Sequence, residues 1–196
     1  ATAPIPEVSL ELLRALPKTD LHCHLDGSLR LQTILELASQ QGVKLPADDE
    51  AGLAKALRVG VHCEDLEEYL TSFDVTCSVL QTADALERAA YELVEDAAAE
   101  NVWHLEVRYA PILHMRRGMS FAHIVESVLA GLRAGEQDFA VTTGAIICGI
   151  RNIDPRESLR LAEVTVAYKH RGVVAFDLAG GEAGNPAKKH SDAFGL

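Results

Sequence analysis

The chain has 196 residues, 48% hydrophobic and 24% charged, which is enough apolar surface for one ordinary domain and too much for a disordered or collagen-like polymer. A formal charge of −11 disfavours a phosphate backbone as partner, because nucleic-acid binding relies on clustered Lys and Arg, so a small neutral ligand fits better. No run approaches the roughly eighteen apolar residues of a membrane helix, and the first residues lack the basic and apolar regions of a signal peptide; no membrane partner and a cytoplasmic protein are expected.

In chain order, Ser9 is placed to cap a short helix through Leu16, and Pro17 stops it before the apolar run Thr19 to Leu25, the first strand. Leu31, Ile34, Leu35 and Ala38 share a helical face that Gly42 closes. Residues 46–60 are small, polar and interrupted by Gly52 and Gly60, so they read as an insertion, with a helix only over 65–80. Leu86, Ala89, Ala90, Leu93, Val94 and Ala97 form the strongest helical stripe, and Asn101 ends it before the alternating strand Val102 to Tyr109. The pattern repeats as helix 121–134, strand 141–150, helix 155–169 and strand 173–178, followed by a tail with no finished element. Strands separated by helices imply a parallel sheet, either doubly wound or a β/α barrel; periodicity alone does not choose. Cys23, Cys63, Cys77 and Cys148 stand far apart with no C-x-x-C pair, which points to reduced, mostly buried thiols.

The most informative segment is Thr19-Asp20-Leu21-His22-Cys23-His24-Leu25-Asp26-Gly27. Strand residues two apart share a face at about 6.5 Å, so His22 and His24 point one way while Leu21, Cys23 and Leu25 point the other. Two imidazoles on a rigid strand suit a divalent metal, zinc above all, the alternative being two polar histidines at a strand end. A catalytic zinc normally has three protein ligands plus a water, so another ligand has to come from elsewhere.

Pro17, Lys18, Asp20, Leu21, His22, His24, Leu25, Asp26, Gly27 and Ser28 together resemble the first strand of the adenosine deaminase family. Leu105-Glu106-Val107-Arg108-Tyr109-Ala110-Pro111 looks like that family's second strand, and Asp177-Leu178-Ala179-Gly180 like its fourth. The resemblance covers essentially the whole chain. It implies an α/β fold, the TIM-type (β/α)8 barrel, of which residues 1–196 supply about the first four β/α units as the N-terminal half of a single deaminase domain, with the site at the C-terminal mouth.

By the same resemblance, His22 and His24 bind Zn2+. His24, Asp26 and Gly180 meet the substrate, Asp26 at the ribose 5′-hydroxyl and Gly180 through its backbone amide at the purine ring. Tyr69 and Phe73 are aromatic residues of a lid. The residues alone leave plainer alternatives open: a helix-start carboxylate at Asp26, a turn glycine at Gly180, and core packing of Tyr69 and Phe73 at i, i+4 spacing. Glu106 and Arg108 share a strand face and are expected to form a buried ion pair; Glu182 is given no catalytic role. His62, His104, His114, His123, His170 and His190 have no metal-ligand partner at useful spacing and are expected to be surface or satisfied histidines.

The implied reaction is zinc-dependent hydrolytic deamination of adenosine or 2′-deoxyadenosine to the inosine nucleoside and ammonia, in purine salvage. The family's later His-Ala-Gly-Glu and Ser-Leu-x-Thr-Asp-Asp-Pro segments, which carry the remaining ligands and the acid–base residues, do not occur here. No catalytic residue is therefore assigned: the acid–base residues are expected beyond Leu196, and residues 1–196 alone are expected to show no turnover. Alternatives are an adenine or modified-adenosine deaminase of the same family, and a catalytically inactive half-barrel remnant or interaction module. The expected partners are a purine nucleoside and, to cover strand edges left unpaired, a C-terminal half or a second copy of the chain.

Overall fold

A computed structural model describes residues 8–57 and 66–196, with the backbone alone for residues 66–69 and 71. Gly60, His62 and Cys63 lie outside the described residues, as does the side chain of Tyr69, half of the expected lid pair.

The elements run α1 (Leu10–Ala15), β1 (Lys18–His24), α2 (Leu31–Gln41), α3 (Glu50–Leu57), α4 (Leu66–Val79), α5 (Ala83–Ala99), β2 (Val102–Tyr109), α6 (Phe121–Asp138), β3 (Thr142–Ile150), α7 (Pro155–Tyr168) and β4 (Val173–Ala179). Short 3-10 helices cover Pro111–His114 and Ala187–Phe194. Hydroxyl caps start three of the α-helices: Ser9 accepts from the Leu12 N–H at 3.1 Å, Thr82 from Ala85 at 3.3 Å and Ser120 from His123 at 3.2 Å. Gly42 at φ 65° and Asn101 at φ 60° turn the chain out of α2 and away from α5, as their positions in the sequence predict. Among the described residues no helix is long and apolar enough to cross a membrane.

All four strands are parallel, in the order β1-β2-β3-β4. A doubly wound sheet reverses its strand order so that helices cover both faces; sequential order with right-handed crossovers keeps them on one. That face holds the core. Leu105, Val107, Tyr109, Ala145 and Ile147 point into it and meet Leu86, Val94, Ile124, Val128 and Leu132 of α5 and α6, all under 3% exposed. The two helices touch closely because Gly131 has no side chain: a β-carbon there would stand 2.1 Å from the Glu87 carbonyl oxygen.

Three expectations need correction. Residues 50–57 are helical through Gly52: Asp49 accepts the Gly52 N–H at 2.7 Å, and fully buried Leu53 anchors the turn, outweighing the roughly 1 kcal/mol that Gly costs a helix. The tail is not unfinished, because its 3-10 helix buries His190 and Ala193, and Phe194 stacks edge-on against Phe176 at 5.1 Å between ring centroids. Arg108 does not pair with Glu106. Its guanidinium meets Asp177 on β4, across the sheet, while Glu106 faces His104 at 3.6 Å. The long Arg108 side chain reaches past β3 to the β4 carboxylate, whereas Glu106 is taken by His104 on its own strand.

A candidate active site at the C-terminal ends of the strands

β1 carries an irregularity in register between Asp20 and Cys23, and the Asp20 carboxylate takes the His22 backbone N–H at 3.0 Å in compensation. His22, within it, and His24, just past it, lie on one side of the strand, ring centroids 5.5 Å apart. Lost hydration, then the Arg108 guanidinium and then His24 hold the His22 ring below the usual imidazole range, against an opposing pull from Asp20. The neutral ring so favoured keeps the lone pair that a metal needs.

After β1 the chain pairs once more, Leu25 N–H to the Arg108 carbonyl at 3.0 Å, then turns with the Ser28 hydroxyl donating to the His24 carbonyl at 2.6 Å. The turn buries Asp26 to 4% exposure. One carboxylate oxygen, Oδ2, receives the Cys77 thiol at 3.8 Å; the other, Oδ1, is buried with no hydrogen-bond partner among the described residues and lies 3.7 Å from His24 Nδ1. Burial, reinforced by Asp26, pushes the Cys77 thiol far above its ordinary range, so it is a hydrogen donor and not a thiolate.

A cavity of about 300 Å³ opens over these groups, lined by His24, Asp26, Phe73, Cys77, Asn152 and Gly180 among others. That volume is at the lower end of the range for small-molecule pockets. A neighbouring space of about 230 Å³ joins His22, His24, Phe73, Arg108 and Gly180. Phe73 stands edge-on to His24 at 5.8 Å and closes over Gly27, so it forms a pocket wall and not buried core. Gly180 has φ 94°, a backbone conformation that disfavours side chains, and a β-carbon there would meet Asn152 Oδ1 at 2.9 Å. Arg151 and Glu182 pair at the rim at 2.9 Å.

The structure therefore gathers His22, His24, Asp26, Phe73 and Gly180 at one mouth. Leu196, the position past which the acid–base residues are expected, is an exposed side chain that lines neither of these spaces and supplies no chemistry to them. His114 and His190 are buried and hydrogen-bonded elsewhere, His114 to the Leu80 carbonyl and His190 to Ser158 and Arg151. Sequence reasoning missed Cys77 and Asn152. Cys77 lies one turn past Phe73 on the same face of α4, and Asn152 just past the end of β3, where barrel sites collect their residues; both signals were present.

The donor chemistry fits zinc in part. His22 and His24 are two imidazole ligands on one side, yet among the described residues no group of three or more His, Cys, Asp or Glu side chains is placed to hold a metal ion. The Arg108 guanidinium also lies within 2.9 Å of His22 ring nitrogens.

Comparison with known proteins supplies the context. The adenosine deaminase family model matches residues 17–196. The adenosine deaminase of Mycobacterium avium (strain 104) is 45% identical over 197 residues, covering 98% of this chain and 53% of that protein. The adenine deaminase of Arthrobacter aurescens superimposes with a TM-score of 0.82 at 29% identity, over 92% of this chain and 54% of that one. An amidohydrolase of Burkhoderia ambifaria, solved with bound Zn, gives a TM-score of 0.81 at 27% identity, over 96% and 52%. The chain spans from about a quarter to about half the length of the curated relatives it matches. With the sheet in sequential order and the strand-one histidines where the family's sequence pattern places them, the four β/α units are the opening units of a TIM-type barrel, and the chain belongs to the adenosine deaminase family.

Proposed function

We propose that this chain is the N-terminal half of a single-domain, zinc-dependent deaminase that converts adenosine or 2′-deoxyadenosine, with one water, to the inosine nucleoside and ammonia in purine salvage. The carrying observation is the buried, unpartnered Asp26 Oδ1 beside the paired imidazoles in one cavity. A carboxylate oxygen with no donor in the protein suits a donor on the ligand, and a nucleoside hydroxyl is one. Cys77 holds the other oxygen, so Oδ1 faces the ligand.

His22 and His24 would hold the zinc, which when bound supplies a Lewis acid that eases deprotonation of water near neutral pH. Phe73 shields the pocket from bulk solvent, and the bare Gly180 lets a flat ring approach the backbone. The remaining ligand and the acid–base groups come from the second half of the barrel, so residues 1–196 alone should release no ammonia.

The test is ammonia release from adenosine by the complete polypeptide, before and after chelation and after zinc is restored. Activity that chelation removes and zinc returns supports the reading; full activity in metal-free protein overturns it, as does turnover by residues 1–196 alone. A second reading, adenine deamination, draws on the likeness to the Arthrobacter aurescens adenine deaminase. It predicts a preference for the free base and indifference to Asp26→Ala, whereas the nucleoside reading predicts a preference for adenosine that this substitution erodes. Inactivity on every purine, with no zinc retained, is the outcome for a non-catalytic remnant.

A further inference from the structure

The loop after β3 sits at the pocket rim, and the fold fixes its backbone from several directions. The Arg151 N–H donates to the Ala179 carbonyl at 2.8 Å, the Arg151 carbonyl accepts from His190 Nε2 at 3.1 Å, and the Ile153 N–H donates to the Ile150 carbonyl at 3.3 Å. Between these anchors stands Asn152, its side chain on the cavity wall beside Gly180 and Gly181. The Oδ1 atom occupies the space that a Gly180 β-carbon would need.

Asn is common in turns for two structural reasons: it tolerates a left-handed φ, and its side chain accepts a backbone N–H two residues on. Neither operates here. Among the described residues, the non-glycine residues with positive φ are Asn101 and His170. The nearby N–H groups of Arg156 and Glu157 go to Asp154, and among the described residues the Asn152 carboxamide has no hydrogen-bond partner. The backbone on either side is anchored, so the exposed Asn152 carboxamide, used by no neighbour, is presented at the cavity rim.

The chemistry then narrows the ligand group. Purine ring nitrogens carry lone pairs and need a donor, which Asp26 cannot be while ionised. Of the other side-chain donors at this wall, Cys77 donates to Asp26 and Arg116 faces Asp74 at 3.8 Å; the Tyr109 hydroxyl has no partner among the described residues but is enclosed, its residue 1% exposed, whereas Asn152 stands exposed at the rim. The Asn152 amide is a free, neutral, planar donor, and a carboxamide in the plane of a base edge is a recurring way to read adenine.

We infer that Asn152 is a specificity-determining residue that donates a hydrogen bond to a ring nitrogen of the bound purine. The inference rests on the nucleoside reading above. In the complete polypeptide, Asn152→Ala should raise KM for adenosine about threefold to tenfold, the worth of one neutral hydrogen bond, with kcat changed less than about twofold. Asn152→Asp, of equal size but with donors replaced by an acceptor, should bind worse than Asn152→Ala. The thermal midpoint of both variants should stay within about 2 °C of the parent, since the carboxamide holds nothing in the fold.

The penalty should be equal for 2′-deoxyadenosine. It should vanish for whichever of the 3-deaza and 7-deaza adenosine analogues, read as competitive inhibitors, lacks the contacted nitrogen. An unchanged KM in an otherwise active enzyme overturns this inference alone, as does a penalty that disappears with 2′-deoxyadenosine or persists with both deaza analogues. A parent protein inactive on adenosine overturns the nucleoside reading, and this inference with it.

Discussion

The two faces of the sheet follow opposite rules. The outer face buries Leu105, Val107, Tyr109, Ala145 and Ile147 under α5 and α6, and close packing there leaves no room for a β-carbon at Gly131. The inner face and its mouth carry His22, His24, Glu106, Arg108 and Asp177, and the buried polar atoms left without partners include Asp26 Oδ1 and Arg108 Nε. One face is assembled for stability, with nearly all its requirements met inside the chain, the unpartnered Tyr109 hydroxyl being an exception; the other holds groups whose requirements point outward to a ligand or to the rest of a barrel. Substitutions on the two faces should therefore separate stability from binding.

The largest effect belongs to the outer face. Leu86 is fully buried in α5, and Leu86→Ala should cost about 2–5 kcal/mol of unfolding free energy in urea titration, from lost apolar burial plus the cavity left behind. Its counterpart at the mouth, Asp26→Asn, should leave stability within about 1 kcal/mol of the parent or raise it, because a buried carboxylate with an idle oxygen becomes a neutral amide of the same shape. If Asp26→Asn proves the more destabilising of the two, Asp26 is structural and the division between faces fails.

This division also explains how much the sequence disclosed. The helical stripe Leu86 to Ala97 and the alternating strand Val102 to Tyr109 are legible because burial on one face imposes a period, and their observed limits follow the pattern closely. The His-x-His spacing was legible for the same reason, since alternation along β1 fixes both rings on one side. Partnership across the sheet was not. Arg108 and Asp177 lie on different strands, and their meeting depends on register, which no local pattern encodes. Asn152 and Cys77 escaped because their meaning comes from what they lack or from one distant contact. The helix at residues 50–57 was hidden by Gly52, whose penalty a single buried leucine overrides.

His114 lies where the two faces meet, and pH should show which rule governs it. Its Nδ1–H donates to the Leu80 carbonyl at 3.1 Å, which leaves Nε2 as a buried acceptor with no partner among the described residues. Burial, the largest influence, holds its folded-state pKa below the usual 6.5, against Asp26 and the Leu80 bond. The unfolded chain then binds a proton that the native chain refuses, so stability falls as pH drops below about 6.5 and levels off once the native ring also titrates. Urea midpoints between pH 7.5 and 5 should show a steeper decline for the parent than for His114→Gln, which removes the titrating ring. Parallel declines would mean that His114 is already charged or solvated in the native state.

The smallest effect is expected at the seam between α2 and α5. Arg30, immediately before α2, reaches the last turn of α5, with Nη2 at 2.6 Å from both Glu95 Oε2 and Asp96 Oδ1 and Nε at 3.1 Å from Asp96 Oδ2. The geometry is good, and the two carboxylates sit at the negative end of a helix, where a cation helps. But the arginine side chain is 36% exposed and its partners 43% and 47%, so water already screens each pair. Arg30→Ala should therefore cost no more than about 1 kcal/mol at low salt, and most of that loss should disappear in about 1 M NaCl, where the screening length falls to about 3 Å. A loss above about 2 kcal/mol that salt leaves untouched would make the arginine stem a packed part of the outer face, and the boundary between the two rules would move outward to include this seam.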